Sequence, residues 1–442
     1  MSNVMDITPA LKTEWTALIQ VLEVGHIQEN IGREELRHLL FTDCKVHATF
    51  FSQSTFQYSF LTCGNYHLKH GTKVLAIIYG YHLPLFKHTF KPYKRYYISN
   101  AVITKVQTQF VINSYKYSWS LNNRTLVQPY PELQPPVLPC HFQFTPFTQL
   151  HRHAETDNYQ NIRGVVIKCF PSEQLHDGSE LSSKRDIIIV NEERILILLT
   201  LWNSFDDNEG YALQKMTTTP PMIFGMRLKV ITSNGLSLTT TMGSAIIINP
   251  PAAKDLHLDN WYNENEGELE QLLNRKTYNE SDLLFPIPQK NDTVPIATAI
   301  ESLKSQKPVW IKGSLSLLHQ HRSFSNTSCA NCQKLIEADA TYLQNHKYLA
   351  SSRATVQIDD ATGSLSATIS KPDLEKFIPF TPEELKYAED NEKSVHDTIA
   401  TSVDSVLLFA FVCSQKTCHQ QEPSTTYNIV KAYNITPAKK PK

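Results

Sequence analysis

Glycine is scarce in this chain, 14 in 442 residues, and no glycine-rich phosphate loop is present. A GxSxG elbow and an HExxH pair are missing too, so the patterns that build phosphoryl-transfer, acyl-transfer and zinc-hydrolase sites are excluded. The 17 histidines are scattered, and the densest group, His151–Arg152–His153, reads as exposed loop. This absence of a catalytic constellation argues against an enzyme. An excess of charge of one sign is also lacking: 42 Lys and Arg stand against 43 Asp and Glu, a formal net charge of −1. No bulk field draws the chain to a polyanion, so any nucleic-acid site has to be a local patch. No apolar run reaches the ~20 residues that span a bilayer. The start, MSNVMDITPALK, has neither the basic flank nor the apolar stretch of a signal peptide. The expectation is a chain without a membrane partner in a reducing compartment, where its eight cysteines are thiols or metal ligands and not disulfides. Only Cys329 with Cys332 and Cys413 with Cys418 have ligand-like spacing; Cys44, Cys63, Cys140 and Cys169 lie in apolar or strand-like surroundings that suit packing.

What is present is core material and β periodicity. Hydrophobic residues make up 41% and charged residues 19%, which places the chain among globular proteins. Its length exceeds one core, and roughly 150 residues per domain implies about three. Three segments share one pattern, an alternating apolar run, a polar turn and a second alternating run. They are LRHLLFTD (36–43) with KVHATFF (45–51), KRDIIIV (184–190) with RILILLTLW (194–202), and ATVQID (354–359) with SLSATIS (364–370). Period-two alternation broken by short turns is the mark of antiparallel hairpins. The copies recur about every 150 to 170 residues, one small barrel plus a linker.

Thr381, Pro382 and Glu384 form a capping box with proline at the first helical position, opening a helical pattern through Ala400. VLLFAFVC (406–413) and TYNIVKAYNI (426–435) follow as strands. A five-stranded barrel with a helix between its third and fourth strands is the OB-fold. The fold class is therefore mainly β, three tandem OB-fold barrels with short helices. The expected divisions are a first barrel over 8–127, a proline-rich linker over 128–140, a second barrel over 141–262, an acidic linker over 263–294, a third barrel over 295–437 and a basic tail over 438–442.

The middle segment carries a resemblance. FTPFTQL (144–150), IRGVVI (162–167), KRDIII (184–189), LTLW (199–202), GLSLTTTMGSAIIINP (235–250) and NWY (260–262) resemble the second DNA-binding barrel of the replication protein A large subunit. RYYISNAVI (95–103) and NNRTLV (122–127) resemble the end of that family's first barrel. TSCANCQK (327–334) and VQIDDATGSLSATI (356–369) resemble its zinc-bearing third one. The short form is similar to divergent plant-type or transposon-associated copies, with no room for the family's N-terminal protein-interaction barrel. The resemblance implies single-stranded DNA binding in replication, repair or recombination, a nuclear location and smaller replication protein A subunits as partners of the third barrel.

Single strands are held by aromatic faces that stack bases and by cations along the phosphates. Trp202 ends an apolar strand and is either such a platform or a core tryptophan closing the barrel mouth; the resemblance puts a base-stacking tryptophan there. Lys184, Arg185 and Lys229 match basic positions of the similar barrel. The family's second stacking aromatic is absent, because Ser233 occupies its position. In the first segment Phe51 and Tyr97, each one of a consecutive aromatic pair, are candidate platforms, and Lys45 and Arg95 candidate cations; one member of each pair enters the core.

The family's zinc site needs two cysteine pairs. Cys329 and Cys332 supply the first, but LQNHKYLASSR (343–353) has no cysteine, which leaves His346 as a third candidate ligand. The reading is a degenerate zinc-ribbon insertion that does not hold stable zinc. A non-catalytic protein-interaction scaffold on the same barrels, or an RNA binder, is the alternative function.

Overall fold

The structure is a computed structural model that describes residues 1–11, 14–29, 34–43, 72–106, 115–131, 142–177, 180–216, 219–232, 235–250, 257–279, 283–289, 291–318, 323–329, 348–370, 372–419 and 422–437. They form two compact units. One comprises Met1–Gln143, Met222–Met226 and Met242–Asp259, and the other Phe144–Pro221, Arg227–Thr241 and Asn260–Lys442. The described residues are mostly β, in three sheets.

The first sheet holds β1 (Thr16–Glu29), β2 (Glu35–Asp43), β3 (Lys73–Tyr79), β4 (Arg95–Ser99), β5 (Val102–Lys105), β6 (Tyr117–Leu121) and β7 (Leu126–Pro129). β1 pairs antiparallel with both β2 and β4, β2 with β3, and β3 parallel with β6. β4 and β5 are one barrel strand bent at Asn100, whose φ of 60° is left-handed, a conformation asparagine tolerates better than most residues. The bend lets β4 pair with β1 and β5 with β6, which closes the barrel. A short helix, α1 (Leu83–Phe86), joins β3 to β4. Trp119 and Phe41 are fully buried at the centre, and Tyr115 links Trp119 Nε1 (3.0 Å) to the Ile7 carbonyl (2.5 Å). Both edges of β2 are taken by β1 and β3, so the hairpin expected between 36–43 and 45–51 is replaced by one with Lys73–Tyr79; residues 45–51 lie outside the described residues.

The second sheet contains β8 (Gln160–Cys169), β9 (Glu173–Asp177), β10 (Glu180–Val190), β11 (Leu196–Trp202), β12 (Met222–Ile231), β13 (Ser237–Thr239) and β14 (Ala245–Ile248). β10 pairs with β8 and β11, β11 runs parallel with β13, and β12 lies between β13 and β8, so this ring also closes. A π-turn over Asp206–Gly210 and α2 (Tyr211–Lys215) stand between β11 and β12. Where the composition suggested an acidic linker, the chain forms α3 (Leu258–Asn274), with Arg194 bonded to Asn265 (2.8 Å) and ion-paired with Glu268 (3.2 Å).

The third sheet follows α4 (Ile296–Lys304) and comprises β15 (Val309–Leu317), β16 (Ser325–Cys329), β17 (Tyr348–Asp360), β18 (Gly363–Ser370), β19 (Val406–His419) and β20 (Glu422–Asn434). β15 pairs with β17 and β19, β17 with β18, β18 parallel with β20, and β20 with β19. In all three sheets the third barrel strand lies parallel to the fifth, with helical residues between the third and fourth. This is the OB-fold arrangement. The hairpins read at 184–202 and 354–370 are β10–β11 and β17–β18.

The helical pattern after Thr381 is realised as two helices, α5 (Pro382–Asp390) and α6 (His396–Val403). The capping box is present: Glu384 N donates to Thr381 Oγ1 (3.2 Å) and Thr381 N to Glu384 Oε2 (2.8 Å). α5 stops because Glu392 is left-handed (φ 53°) and Lys393 N reaches back to the Ala388 carbonyl (2.8 Å), a Schellman-type ending.

Within the second unit an aromatic cluster joins the 3₁₀ segment Phe147–His153 to the third sheet. His151 lies 6.0 Å from Phe285 and 5.6 Å from Phe411, and Phe411 is 5.1 Å from Trp310. Burial is the main reason that the His151 imidazole is held down, from 6.5 to about 4, with Arg152 and His153 adding repulsion. Above pH 6.5 neither folded nor unfolded His151 carries a proton. As pH falls from 6.5 towards 4 the unfolded chain takes up a proton that the folded chain refuses, so stability declines, and the loss is complete below 4. At about 1.4 kcal/mol per pH unit the loss is at most about 3.5 kcal/mol. Denaturation followed at pH 7, 5 and 4 is expected to show this extra loss in the wild type and not in His151→Phe.

Candidate nucleic-acid interface

Alternation along β11 decides which side chains leave the barrel. Leu199 and Leu201 are fully buried, so Thr200 and Trp202 lie on the opposite face. The β10–β11 register sets Lys184 opposite Trp202 and Asp186 opposite Thr200. On its other edge β11 pairs Thr200 with Thr239, and β13 pairs Thr239 with Lys229. Lys184, Trp202, Thr239 and Lys229 thus share one face over four adjacent strands. Directly paired residues have Cβ atoms roughly 5 Å apart, the reach of one nucleotide. Trp202 is half-buried, its Nε1 donates to Thr239 Oγ1 (2.9 Å) and its backbone N to Thr240 Oγ1 (3.0 Å). The indole is therefore fixed by its polar edge. Lys184 is ion-paired with Glu173 at 3.2 Å, whereas Lys229 has no acidic partner among the described residues.

Arg185 points the other way and corrects the expectation from sequence. It is 5% exposed, and its Nε donates to Asp206 Oδ1 at 2.6 Å. Nη1 donates to Gln214 Oε1 (2.7 Å) and the Phe170 carbonyl (3.3 Å), and Ser172 Oγ bonds the other Asp206 oxygen. Burial opposes the charge, but the hydrogen bond and charge of Asp206 outweigh it and hold the guanidinium above its ordinary value. Two consecutive basic residues on a strand face opposite sides, so Lys184 and Arg185 cannot both line one groove.

In the first sheet the same alternation separates Tyr96 from Tyr97. Tyr96 is buried, with its hydroxyl donating to the Thr89 carbonyl at 2.9 Å, while Tyr97 is half-buried on the outer face. Tyr97 lies 5.5 Å from Tyr130, and the Arg95 guanidinium sits 4.4 Å over the Tyr130 ring. Tyr130 was hidden from sequence reasoning because it falls in the proline-rich stretch assigned to a linker, yet β7 carries the chain along β4 up to it. Tyr79 was missed as well. It ends β3 and is followed by Gly80 with φ 36°, just as Trp202 ends β11 and is followed by Asn203 with φ 49°. It stands two residues past the outward parallel pair Ile77–Ser120, the place Trp202 has past Thr200–Thr239. An aromatic strand end followed by Gly or Asn is the signal that would have found it. Lys45 and Phe51 lie outside the described residues, as does Ser233.

The corresponding position of the third sheet is Ser370, opposite Arg353, two residues past the Thr368–Asn428 parallel pair. Thr355 and Gln357 on β17 face Thr368 and Ser366 on β18, so the described part of this row has no aromatic. Cys329 ends β16 opposite Tyr348, while Cys332 and His346 lie outside the described residues. Among the described residues no group of three or more His, Cys, Asp or Glu could hold a metal ion. Cys413, an alternative ligand by spacing, is 2% exposed, and burial pushes its thiol strongly up, away from the thiolate a metal needs.

No protein-family model matches the chain. Its curated relatives are replication protein A 70 kDa DNA-binding subunits. One of these, from Arabidopsis thaliana, is 25% identical over 346 residues, 74% of this chain and 56% of the relative. Another from the same plant is 24% identical over 346 residues, 74% of this chain and 54% of the relative. The chain spans about half the length of these two relatives. Among solved structures, a replication protein A heterotrimer bound to ssDNA aligns over 99% of this chain and 96% of its own, at 15% identity and a TM-score of 0.45.

Removing Arg185 would leave Asp206, 1% exposed, as an unpaired buried charge, which costs about 3 to 5 kcal/mol. Thermal melts are expected to show Arg185→Ala strongly destabilised and Lys184→Ala close to wild type.

Proposed function

We propose that this chain binds single-stranded DNA through its OB barrels, with the outer face of β10, β11, β13 and β12 as a main contact surface. The observation that carries the reading is the Trp202 indole, fixed by Thr239, with Lys184 opposite it in register and Lys229 opposite Thr239 on the same face. A base laid on the indole leaves its phosphate towards the Lys184 ammonium, with Lys229 two strands further along the same face. Tyr79 and the Arg95–Tyr97–Tyr130 group give the first barrel aromatic surface of its own. The action is non-catalytic: the barrels hold an exposed strand and keep it unpaired during replication, repair or recombination. Relatives called DNA-binding subunits of replication protein A support this reading. We extend it to a nuclear location, to three barrel domains as divided by the sequence, and to association with smaller subunits of that complex through the third barrel.

A protein-interaction scaffold is the second reading, favoured by the serine at position 370 where the second barrel has tryptophan. Titration with labelled oligo(dT) separates the two. Trp202→Ala is expected to weaken binding by about 1 to 3 kcal/mol, roughly 5- to 150-fold. Lys184→Ala is expected to weaken it less and to make the salt slope shallower by about 0.7. The loss from Lys184→Ala is reduced because Glu173 already competes for that ammonium. Unchanged affinity in both variants would overturn the reading in favour of the scaffold.

A further inference from the structure

The first barrel has a cleft of about 480 Å³ that neither the row around Trp202 nor the Arg95–Tyr97–Tyr130 group uses. It is lined by Tyr81, His82, Asn100, Val102, the Asn122–Asn123 pair and Arg124. Its walls come from three elements at one end of the barrel. The Gly80–His82 turn follows β3, the left-handed Asn100 bends β4 into β5, and the turn after β6 carries the rest. That turn is held by Arg124 N donating to Asn122 Oδ1 (2.8 Å) and Asn122 N to Thr125 Oγ1 (3.0 Å). The volume falls within the range of small-ligand sites, roughly 300 to 1,000 Å³.

The lining is unusual for an ordinary surface dent. Tyr81 is 82% exposed although the His82 ring lies tilted 4.0 Å from its own, and Val102 is 48% exposed, so an aromatic face and an apolar patch are open to solvent. His82 is 9% exposed, and its Nδ1 is buried without a hydrogen-bond partner among the described residues. Arg124 has no acidic partner among the described residues, and Asn100 and Asn123 offer amides with no side-chain hydrogen bond there. A stacking ring, amide donors and acceptors and a guanidinium make up the set that recognises one nucleotide: ring to base face, amides to base edge, guanidinium to one phosphodiester.

We propose that this cleft is a nucleotide subsite of the first barrel, taking one base of a single strand against Tyr81 with the adjoining phosphate on Arg124. The proposal rests on the single-strand reading of the chain and adds a contact beyond the end of β3, past Tyr79. The test uses the full chain with oligo(dT) carrying 5-iodouracil, photocrosslinked and mapped by mass spectrometry. It is paired with titrations of Tyr81→Ala, Arg124→Ala and Trp202→Ala, each checked for an unchanged melt. Expected are a crosslink within 81–82 or 122–124, roughly fivefold or greater weakening for Tyr81→Ala, and a salt slope shallower by about 0.7 for Arg124→Ala. No crosslink there, with Tyr81→Ala and Arg124→Ala like wild type while Trp202→Ala is weakened, would overturn the subsite and leave the single-strand reading standing. If all three variants match wild type, both fall.

Discussion

The outward position of the Trp202 indole depends on register. β11 is bound on one edge by β10, antiparallel, and on the other by β13, parallel, so it cannot slip without breaking both ladders. A shift of one residue would turn Trp202 and Thr200 into the core and bring Leu199 and Leu201 to the surface, a change that hydrophobic burial forbids. Beneath the same strand pair the Arg185–Asp206 ion pair, further tied to Gln214, Phe170 and Ser172, fastens the π-turn that follows Trp202 to β10. Interior charge and exterior aromatic are thus two sides of one arrangement, since strand alternation sends Arg185 inward for the same reason that it sends Lys184 outward.

The barrel closure repeats three times, but the outer faces do not. The third strand of each barrel ends at an equivalent place, and the chain has Tyr79, Trp202 and Ser370 there. The backbone event that follows is shared by the first two, a left-handed Gly80 and a left-handed Asn203. That turn lets the chain leave the sheet for the helix while the preceding ring stays on the face. The third barrel keeps the sheet and changes its surface to serine, threonine and glutamine, and it carries α5 and α6 between β18 and β19. On the proposed reading, stacking is graded along the chain, with most of it in the first two barrels and the third left for other contacts.

The sequence made the strands legible where alternation is strong and turns are short. β10–β11 and β17–β18 are of this kind, as is the Thr381 cap. It misled where pairing is long-range. The partner of β2 lies about thirty residues further on and not across the next turn, because loop length leaves no local trace of which strand fills an edge. Tyr130 was obscured by the prolines on either side of it, although Pro129 ends a strand at the sheet edge where a missing N–H costs little. The acidic run after Trp261 reads as solvated linker by composition, but Leu269 is buried and Arg194 supplies the countercharge that lets α3 form. Each miss has one cause: a partner distant in sequence decides what a local pattern becomes.

Near-neutral charge then limits how such a surface can work. With a formal net charge of −1 the chain gains little from long-range attraction to a polyanion, so on the proposed reading an encounter with a strand is not steered as it is for strongly basic binders. Lys184, opposite Trp202, is also engaged by Glu173, and on the proposed reading a phosphate takes over that partner's place. Stacking is insensitive to salt and indifferent to base identity. A surface built on it, with its indole locked by Thr239, suits a strand that has to be held without regard to sequence and across a range of ionic strength.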